Sequence, residues 1–267
     1  MFLAMTFSVD SSQIEVLDNE SILADPQESF ARLVRPEGAL LLIDKPYGET
    51  SFYAVNQIRK AMSRATGIRR VKCGHAGTLD PLATGLLLIA TRGMTKALQG
   101  LQGLEKTYLV RMRFGVTSPS FDLERPIQIC DGADRLTEDA VYSAILALPG
   151  EHSQLPPIYS AIKQQGKPVY KRARAGEDVT LTARVIQVHQ VEVVSIRLPE
   201  AAFRVRVSKG TYIRSLVRDL AVSLGTCGIL LDLVRERVGA WNVASALSLP
   251  EAVGILSEHS VAATYHS

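Results

Sequence analysis

The residues with the clearest potential for chemistry lie in the stretch 74–85, whose sequence is GHAGTLDPLATG. It holds one carboxylate, Asp80, and one imidazole, His75, among closely spaced glycines. Such glycines indicate a loop that turns sharply or lets another chain approach closely. A basic segment, residues 68–72, precedes the loop, and an apolar run, residues 86–90, follows it and predicts a buried strand. We therefore expect Asp80 on a loop held by a sheet, with cations nearby, where side chains commonly carry function.

Taken alone, the Asp80–Pro81 pair has a simpler explanation. An aspartate before a proline commonly caps a helix or starts a turn. The whole stretch favours a catalytic role, because its order closely resembles the catalytic motif of the TruB family of tRNA pseudouridine synthases. The resemblance implies that Asp80 is the catalytic nucleophile and that His75 contacts the RNA where the target base has flipped out.

A second motif lies upstream, where residues 42–51 have the sequence LIDKPYGETS. The apolar run 38–43 predicts a buried strand that ends in a Pro- and Gly-containing turn, and Thr50 and Ser51 are candidate N-caps of a following helix. The string resembles the first motif of the same family. The resemblance implies a structural role in which the Lys-Pro turn supports the catalytic loop.

A strand is predicted over residues 105–114, where side chains alternate between two faces. Tyr108 shares one face with Lys106, Val110, Met112 and Phe114, and a tyrosine there commonly packs in a core or across strands. The Lys-Thr-Tyr string also matches the Lys-x-Tyr motif of the family. The resemblance implies that Tyr108 stacks on the target base, since an aromatic face suits a base that has left its helical stack.

The third strong motif is KGTYIR, residues 209–214. Thr211 is predicted to cap a helix, on which an arginine near the start is commonly a surface residue. The family resemblance implies instead that Arg214 pairs with Asp80, that Tyr212 lines the pocket and that Leu233 is the pocket leucine. Three positions depart from the family pattern, which has arginine where this chain has Val234, phenylalanine where it has Trp241, and a further aspartate within the stretch 117–122.

A basic insert is predicted over residues 155–177, in which Tyr159 and Tyr170 alternate with cations such as Lys163. A run of charge is commonly a solvated face. Aromatic rings among cations, however, suit phosphate contacts combined with base stacking. The string Pro-x-Tyr-Ser-Ala-x-Lys matches the family, and the resemblance implies that the insert closes over the T-arm of tRNA, with Tyr159 and Lys163 binding substrate.

The whole chain has 267 residues, 46% hydrophobic and 21% charged, with a net charge of +3. A charge this small permits an RNA partner without requiring one. The three cysteines are far apart and predict neither a zinc site nor a disulfide framework, and free thiols suit a reducing cytoplasm. The sequence shows no apolar run of the roughly 18 residues that a membrane span needs and no convincing signal peptide.

These patterns predict an α+β protein with a pseudouridine synthase fold, built on a central, largely antiparallel mixed sheet. We expect a flexible or partly docked extension at residues 1–37, a catalytic domain at 38–250 and a short tail at 251–267. The resemblance, to a short bacterial type without a C-terminal PUA module, implies a monomeric, cytoplasmic enzyme that isomerises uridine 55 in the T-loop of tRNA.

That chemistry needs neither cofactor nor metal. Whether Asp80 attacks the sugar C1′ or the base, or promotes elimination at the sugar, stays open. Two other functions are alternatives to the isomerase. A glycosidase-like hydrolase would need a second carboxylate, and none stands out near the motif. A non-catalytic RNA-binding or tRNA-folding module would need only the basic insert.

Overall fold

The structure is a computed structural model that describes residues 14–159, 163–164, 167–168 and 181–258. The chain divides into two compact units. The first comprises the described residues of Met1–Leu104 and Val234–Ser267, and the second those of Glu105–Leu233. The domain limits expected from the sequence, with a catalytic domain at 38–250, stay a prediction.

The helices and strands follow one another in chain order. Up to residue 104 they are β1 (Val16–Leu17), α1 (Asn19–Ala24), α2 (Pro26–Val34), β2 (Leu40–Lys45), α3 (Ser51–Thr66), β3 (Cys73–His75), β4 (Ala83–Thr91), a 3-10 helix (Arg92–Ala97) and α4 (Leu98–Gln102). From residue 105 to the insert they are β5 (Lys106–Phe114), β6 (Val116–Thr117), β7 (Gln128–Ile129), a 3-10 helix (Ala133–Arg135), α5 (Glu138–Leu146), β8 (Gly150–Gln154), β9 (Lys163–Gln164) and β10 (Lys167–Pro168). After the insert they are β11 (Arg184–Arg197), β12 (Glu200–Val207), α6 (Ile213–Ser223), β13 (Gly228–Val238), β14 (Trp241–Asn242), a 3-10 helix (Val243–Ser245), β15 (Leu247–Ser248) and α7 (Leu249–Glu258).

In the first unit, β2 and β4 form the centre of the sheet. They pair antiparallel, with Leu42 opposite Leu88, while β1 and β15 run parallel to β2 and β3 runs antiparallel to β4. Both faces of the β2–β4 pair are buried: Leu41 and Leu87 belong to one hydrophobic cluster, and Leu42 and Leu88 to the other. Burial on both faces explains why these strands are continuous apolar runs in the sequence.

The N-terminal segment, residues 14–37, is docked rather than flexible over its described part. Asp18 caps α1 through a capping box, and Asp25 caps α2, which begins at Pro26. Ile22 of α1 and Phe30 and Leu33 of α2, together with Leu17, are buried in the cluster that β2 and α3 share. At the other end of the chain, part of the expected tail also belongs to this core, because Ala252 and Leu256 of α7 are buried there.

In the second unit, β5, β12, β11 and β8 pair antiparallel in that order, with Tyr108 opposite Val205. One face of β5 is buried, as the alternation predicted, and it consists of Lys106, Tyr108, Val110, Met112 and Phe114. The antiparallel pairs of both units confirm the prediction of a mixed, largely antiparallel α+β fold. No helix of the described chain is long and apolar enough to cross a membrane.

Two local predictions were wrong. Thr211 does not cap α6, since its hydroxyl donates to the carbonyl of Ser208 and Tyr212 occupies the N-cap position.

The cysteines are not all free thiols, because Cys130 and Cys227 form a disulfide with their Cα atoms 6.3 Å apart. Both flank the backbone of Gly115, whose N–H donates to the carbonyl of Cys227 and whose carbonyl accepts from the N–H of Cys130. This contact joins segments 97 residues apart, which sequence spacing could not show.

The insert expected at residues 155–177 is described only in part. Residues 155–159 follow β8, and β9 and β10 form a short antiparallel pair. Of the cations and aromatic residues expected there, Tyr170, Lys171 and Arg172 lie outside the described residues.

Removing the docked N-terminal segment should destabilise the protein, because its buried side chains cover apolar surface of the core. Phe30, only 5% exposed, contacts that core. We predict that Phe30→Ala lowers the free energy of unfolding by about 3–5 kcal/mol, as truncating a buried aromatic ring does elsewhere. Chemical denaturation measures the change.

The matched control is Leu23→Ala in the neighbouring helix, where the leucine is 68% exposed. Its effect should stay within about 0.5 kcal/mol. Equal losses for the two variants would show that the segment is not part of the folded core.

Candidate functional site

Asp80 lies on the loop between β3 and β4, at the start of a turn rather than at the start of a helix. Pro81 and Leu82 form the turn, and the N–H of Ala83 donates to the carbonyl of Asp80 at 3.1 Å. Gly77 has a φ of +95°, which favours glycine. The turn explanation of the Asp-Pro pair is therefore correct locally, and it places a half-buried carboxylate at the tip of a loop.

Hydrogen bonds from the first motif hold the backbone of this loop. Ser51, buried at the first position of α3, donates its hydroxyl to the carbonyl of Leu79 at 3.0 Å and accepts the N–H of Leu79 at 2.8 Å. The N–H of Gly48 donates to the carbonyl of Pro81 at 2.8 Å. The residues on both sides of Asp80 are thus attached to the turn and helix start that follow β2, as the family resemblance implied.

Lys45 is the first of two buried cations beneath the loop. Its side chain has no exposed surface, and Nζ donates to the carbonyls of Pro46 at 2.8 Å, Glu49 at 2.6 Å and Pro81 at 3.3 Å. Burial lowers the pKa of Lys45 to about 8, while the carboxylates of Glu49 and Asp80 oppose that shift. Lys45 therefore remains mostly protonated at neutral pH, with Asp80 among its counter-charges.

Arg235 is the second buried cation, and the motif analysis did not identify it. It is 1% exposed, and its guanidinium donates to the carbonyls of Leu86 at 2.7 Å, Gly77 at 3.1 Å and Thr78 at 3.4 Å. The backbone of β13 comes close here, since a Cβ on Gly85 would lie 2.4 Å from the carbonyl oxygen of Arg235. The available sequence signal was an arginine within an apolar strand, where a buried charge needs partners.

His75 ends β3 opposite Ile89 and is half-buried. Burial lowers the pKa of its imidazole, and the positive charge of Arg235 lowers it further. The ring is therefore neutral at pH 7, a state in which one nitrogen donates a hydrogen bond and the other accepts one. A neutral ring beside the loop suits contact with a nucleotide.

In the second unit, Arg214 occupies the first turn of α6 and is 3% exposed. Its guanidinium donates to the carbonyl of Ser120 at 3.1 Å and to that of Tyr159 at 2.9 Å, and its Nε lies 3.6 Å from Oδ2 of Asp122. Asp122 is the aspartate retained in the stretch that departs from the family pattern. Sequence reasoning assigned it no role, and the structure shows it as a buried ion-pair partner of Arg214.

The start of α6 is held by Gln154, which is 1% exposed. Its side-chain amide accepts from the N–H of Tyr212 at 2.8 Å and donates to the carbonyl of Tyr212 at 3.1 Å. This pair of bonds replaces the cap expected from Thr211. The Tyr212 ring lies 5.5 Å from the guanidinium of Arg184.

The other predicted site residues of the second unit differ in burial and in contacts. Tyr108 is 8% exposed on the buried face of β5, and Leu233 is 6% exposed. The ring of Tyr159 lies 5.1 Å from the guanidinium of Arg125. Lys163 lies in β9, and its role in substrate binding stays a prediction.

The structure thus groups Asp80 and His75 in the first unit. It groups Tyr108, Arg214, Tyr159, Tyr212 and Leu233 in the second unit. The pairing of Arg214 with Asp80 stays a prediction. Within the described residues, no group of three or more His, Cys, Asp or Glu side chains could hold a metal ion.

Comparisons with known proteins give a consistent result. The family model described as TruB family pseudouridylate synthase, N terminal domain, matches residues 63–213. The tRNA pseudouridine synthase B of Phocaeicola vulgatus is 42% identical over 213 residues, which cover 80% of this chain and 91% of the relative. That of Chlorobaculum tepidum is 41% identical over 218 residues, covering 81% and 90%.

Solved structures agree with these sequence matches. A chain in the crystal structure of a Cbf5-Nop10-Gar1 complex aligns with a TM-score of 0.61 at 28% identity and covers 80% of this chain. This chain spans about half of that longer chain, 53% of its length. The extent of the family match and the identity to full-length relatives show that this chain belongs to the TruB family of pseudouridylate synthases.

Proposed function

We propose that this chain isomerises uridine to pseudouridine in tRNA, acting on position 55 of the T-loop, with Asp80 as the catalytic carboxylate. One structural observation carries the proposal. The loop that bears Asp80 is held by backbone hydrogen bonds to three buried side chains, those of Ser51, Lys45 and Arg235. Such rigid placement on a supporting sheet is what a reacting carboxylate requires.

The reaction breaks the N-glycosidic bond of uridine, turns the base and rejoins it to the sugar through C5. It is an isomerisation, so it needs a positioned nucleophile or anionic stabiliser and an extruded base rather than an oxidant. Attack at C1′, attack on the base and elimination at the sugar all use the negative charge of Asp80. Lys45 favours that charge, because the attraction that holds up the pKa of Lys45 equally stabilises ionised Asp80.

The second unit supplies the remaining roles. Tyr108 stacks on the extruded base, Tyr212 and Leu233 line its pocket, and Arg214 orients Asp80 by a charge-assisted hydrogen bond. Asp122 supports this role of Arg214, because a buried guanidinium already oriented by an acid and two carbonyls loses little freedom on pairing. His75 contacts the RNA beside the extruded base.

Binding of the T-arm is proposed to involve the insert, with Tyr159 and Lys163 in contact with the RNA. The enzyme is further proposed to be a cytoplasmic monomer that uses neither metal nor cofactor. Cys130 and Cys227 form a disulfide, so free thiols do not support the cytoplasm. The proposed tRNA substrate supports it, because tRNA is processed there.

The direct test is incubation with an unmodified tRNA transcript followed by chemical mapping of pseudouridine. We expect a single modified site at the T-loop uridine. An abasic product would instead indicate a hydrolase, and binding without modification would indicate a non-catalytic RNA-binding module. Modification confined to another loop would refute the assignment of the T-loop.

We predict that Asp80→Asn reduces the single-turnover rate of pseudouridine formation on the order of a thousandfold or more. Asparagine keeps the size and one acceptor oxygen but removes the charge that each route uses. Binding of tRNA, measured separately, should be little changed.

The matched control is Asp44→Asn in β2 of the same unit. Asp44 accepts the N–H of Gly85 at 3.1 Å, and an asparagine oxygen can accept the same bond. This variant should turn over at close to the wild-type rate. An active Asp80→Asn enzyme would remove Asp80 from its role and the proposed mechanism with it.

A second variant tests the support of the loop. Arg235→Lys keeps the charge, but a point charge cannot reach the three carbonyls that the planar guanidinium bonds. We predict a fall in kcat of about tenfold to a hundredfold, the cost of small misplacements of reacting groups, with a much smaller effect on tRNA affinity.

The exposed neighbour Arg237, two residues along β13, supplies the control. Arg237→Lys should leave kcat unchanged. If Arg235→Lys changed affinity and left kcat intact, Arg235 would be acting on RNA binding and not on the loop.

A further inference from the structure

A second feature of the first unit is a stretch of one charge sign. Residues 50–79 contain six cations and no aspartate or glutamate. The whole chain has a net charge of only +3, so the remaining residues together are net negative. The six cations are Arg59, Lys60, Arg64, Arg69, Arg70 and Lys72. Besides the basic insert, this stretch is therefore a second region of concentrated positive charge, which is the electrostatic footprint of a nucleic-acid contact.

The structure gathers these cations around one groove. Arg59, Lys60 and Arg64 lie on the second half of α3, and Arg69, Arg70 and Lys72 lie on the segment that leads into β3. Together with Ser63, Val71 and Cys73 they line a groove of about 650 Å³, which we call the α3 groove. Five of the cations are exposed and Arg59 is half-buried, so the charges face solvent.

Within the described residues, these cations are not paired with acids, since no carboxylate lies within 4 Å of any of the six. Arg59 instead donates to Oδ1 of Asn56 at 2.7 Å and lies over the ring of Phe52, which is 66% exposed. Lys60 and Arg64 are four residues apart on α3, where like charges destabilise a helix.

The helix dipole accounts for only part of this pattern. A cation in the last turn of a helix is favourable, and Arg64 occupies that turn. Arg69, Arg70 and Lys72 lie beyond the helix, and each adds repulsion without that gain. A polyanion bound in the groove would relieve this repulsion for all six charges at once.

The α3 groove also has a defined position relative to the catalytic loop. Ser51, at the start of α3, bonds to Leu79 beside Asp80. Arg59 and Arg64 follow 8 and 13 residues later, which at 1.5 Å per residue is about 12 to 20 Å along the helix axis. Cys73, which lines the groove, begins β3, and His75 ends the same strand. A polymer that presents one nucleotide to Asp80 therefore passes within reach of the groove.

We propose that the α3 groove binds the phosphodiester backbone of the substrate RNA at a distance from the modified uridine. The inference rests on the proposed function, because it takes the RNA bound at Asp80 as the occupant. The groove binds phosphates by charge, adds affinity that falls as salt rises, and leaves the chemical step unchanged. Phe52, exposed beside the guanidinium of Arg59, offers a stacking face next to the groove.

The test compares tRNA affinity over a series of salt concentrations for a triple variant, Arg64→Gln, Arg69→Gln and Arg70→Gln. We expect the slope of log affinity against log salt to become shallower by about 2 to 3, and affinity at low salt to fall roughly tenfold or more. The single-turnover rate at saturating enzyme should equal that of the wild type.

Two controls separate the groove from charge in general. Arg64→Lys, Arg69→Lys and Arg70→Lys together keep the charge and should keep the slope. Lys96→Gln, Arg135→Gln and Arg237→Gln together remove three exposed cations outside the groove, and should change the slope much less.

Equal slopes for the groove variant and the wild type would overturn the proposal. So would an equal loss in the control variant, or a loss of rate at saturation without a change in slope. If the wild-type chain formed no pseudouridine, the proposed function would fail by itself. The salt slopes would then still decide whether the groove binds RNA.

Discussion

The arrangement of the first unit depends on hydrogen bonds that buried side chains make to the backbone of the loop bearing Asp80, residues 76–82. A loop dense in glycine has many accessible conformations, and fixing each residue costs about 1–2 kcal/mol of conformational free energy. Ser51 bonds both backbone groups of Leu79, Lys45 reaches Pro81, and Arg235 reaches the carbonyls on the other side of Asp80. These bonds convert a flexible sequence into a fixed support for one carboxylate.

Burying the charges of Lys45 and Arg235 beneath the loop costs free energy, which other contacts of the unit must offset. Burial lowers the pKa of Lys45 to about 8, which records how strongly the protein interior disfavours its charge. Its three carbonyl partners and the nearby Asp80 compensate for the hydration that the ammonium group loses on burial. Burial lowers the pKa of His75, and the charge on Arg235 lowers it further. The buried charges that hold the loop therefore also favour the neutral form of the imidazole beside it.

The sheet core explains why this support is stable. β2 carries Lys45 at its end, β4 receives the loop, and both strands are buried on two faces. The N-terminal helices and α7 complete one of those faces, so segments far from the catalytic motif in sequence stabilise the strands that hold it. In the second unit Gln154 and Asp122 act in the same way, fixing the start of α6 and the guanidinium of Arg214.

The sequence alone determined the local features of the protein. Apolar runs predicted β2 and β4, alternation predicted the buried face of β5, and the ordered motifs identified the family and made Asp80 the candidate catalytic residue, because these signals depend on neighbouring residues. Tertiary structure decided what depends on contacts between distant segments. It packed apolar side chains of the segment 14–37 into the core, brought Cys130 to Cys227, replaced the cap expected from Thr211 with Gln154, and buried Arg235 beneath the loop. Each of these outcomes satisfies a buried polar group or apolar surface with a partner far away in the chain, and local patterning carries no record of that partner.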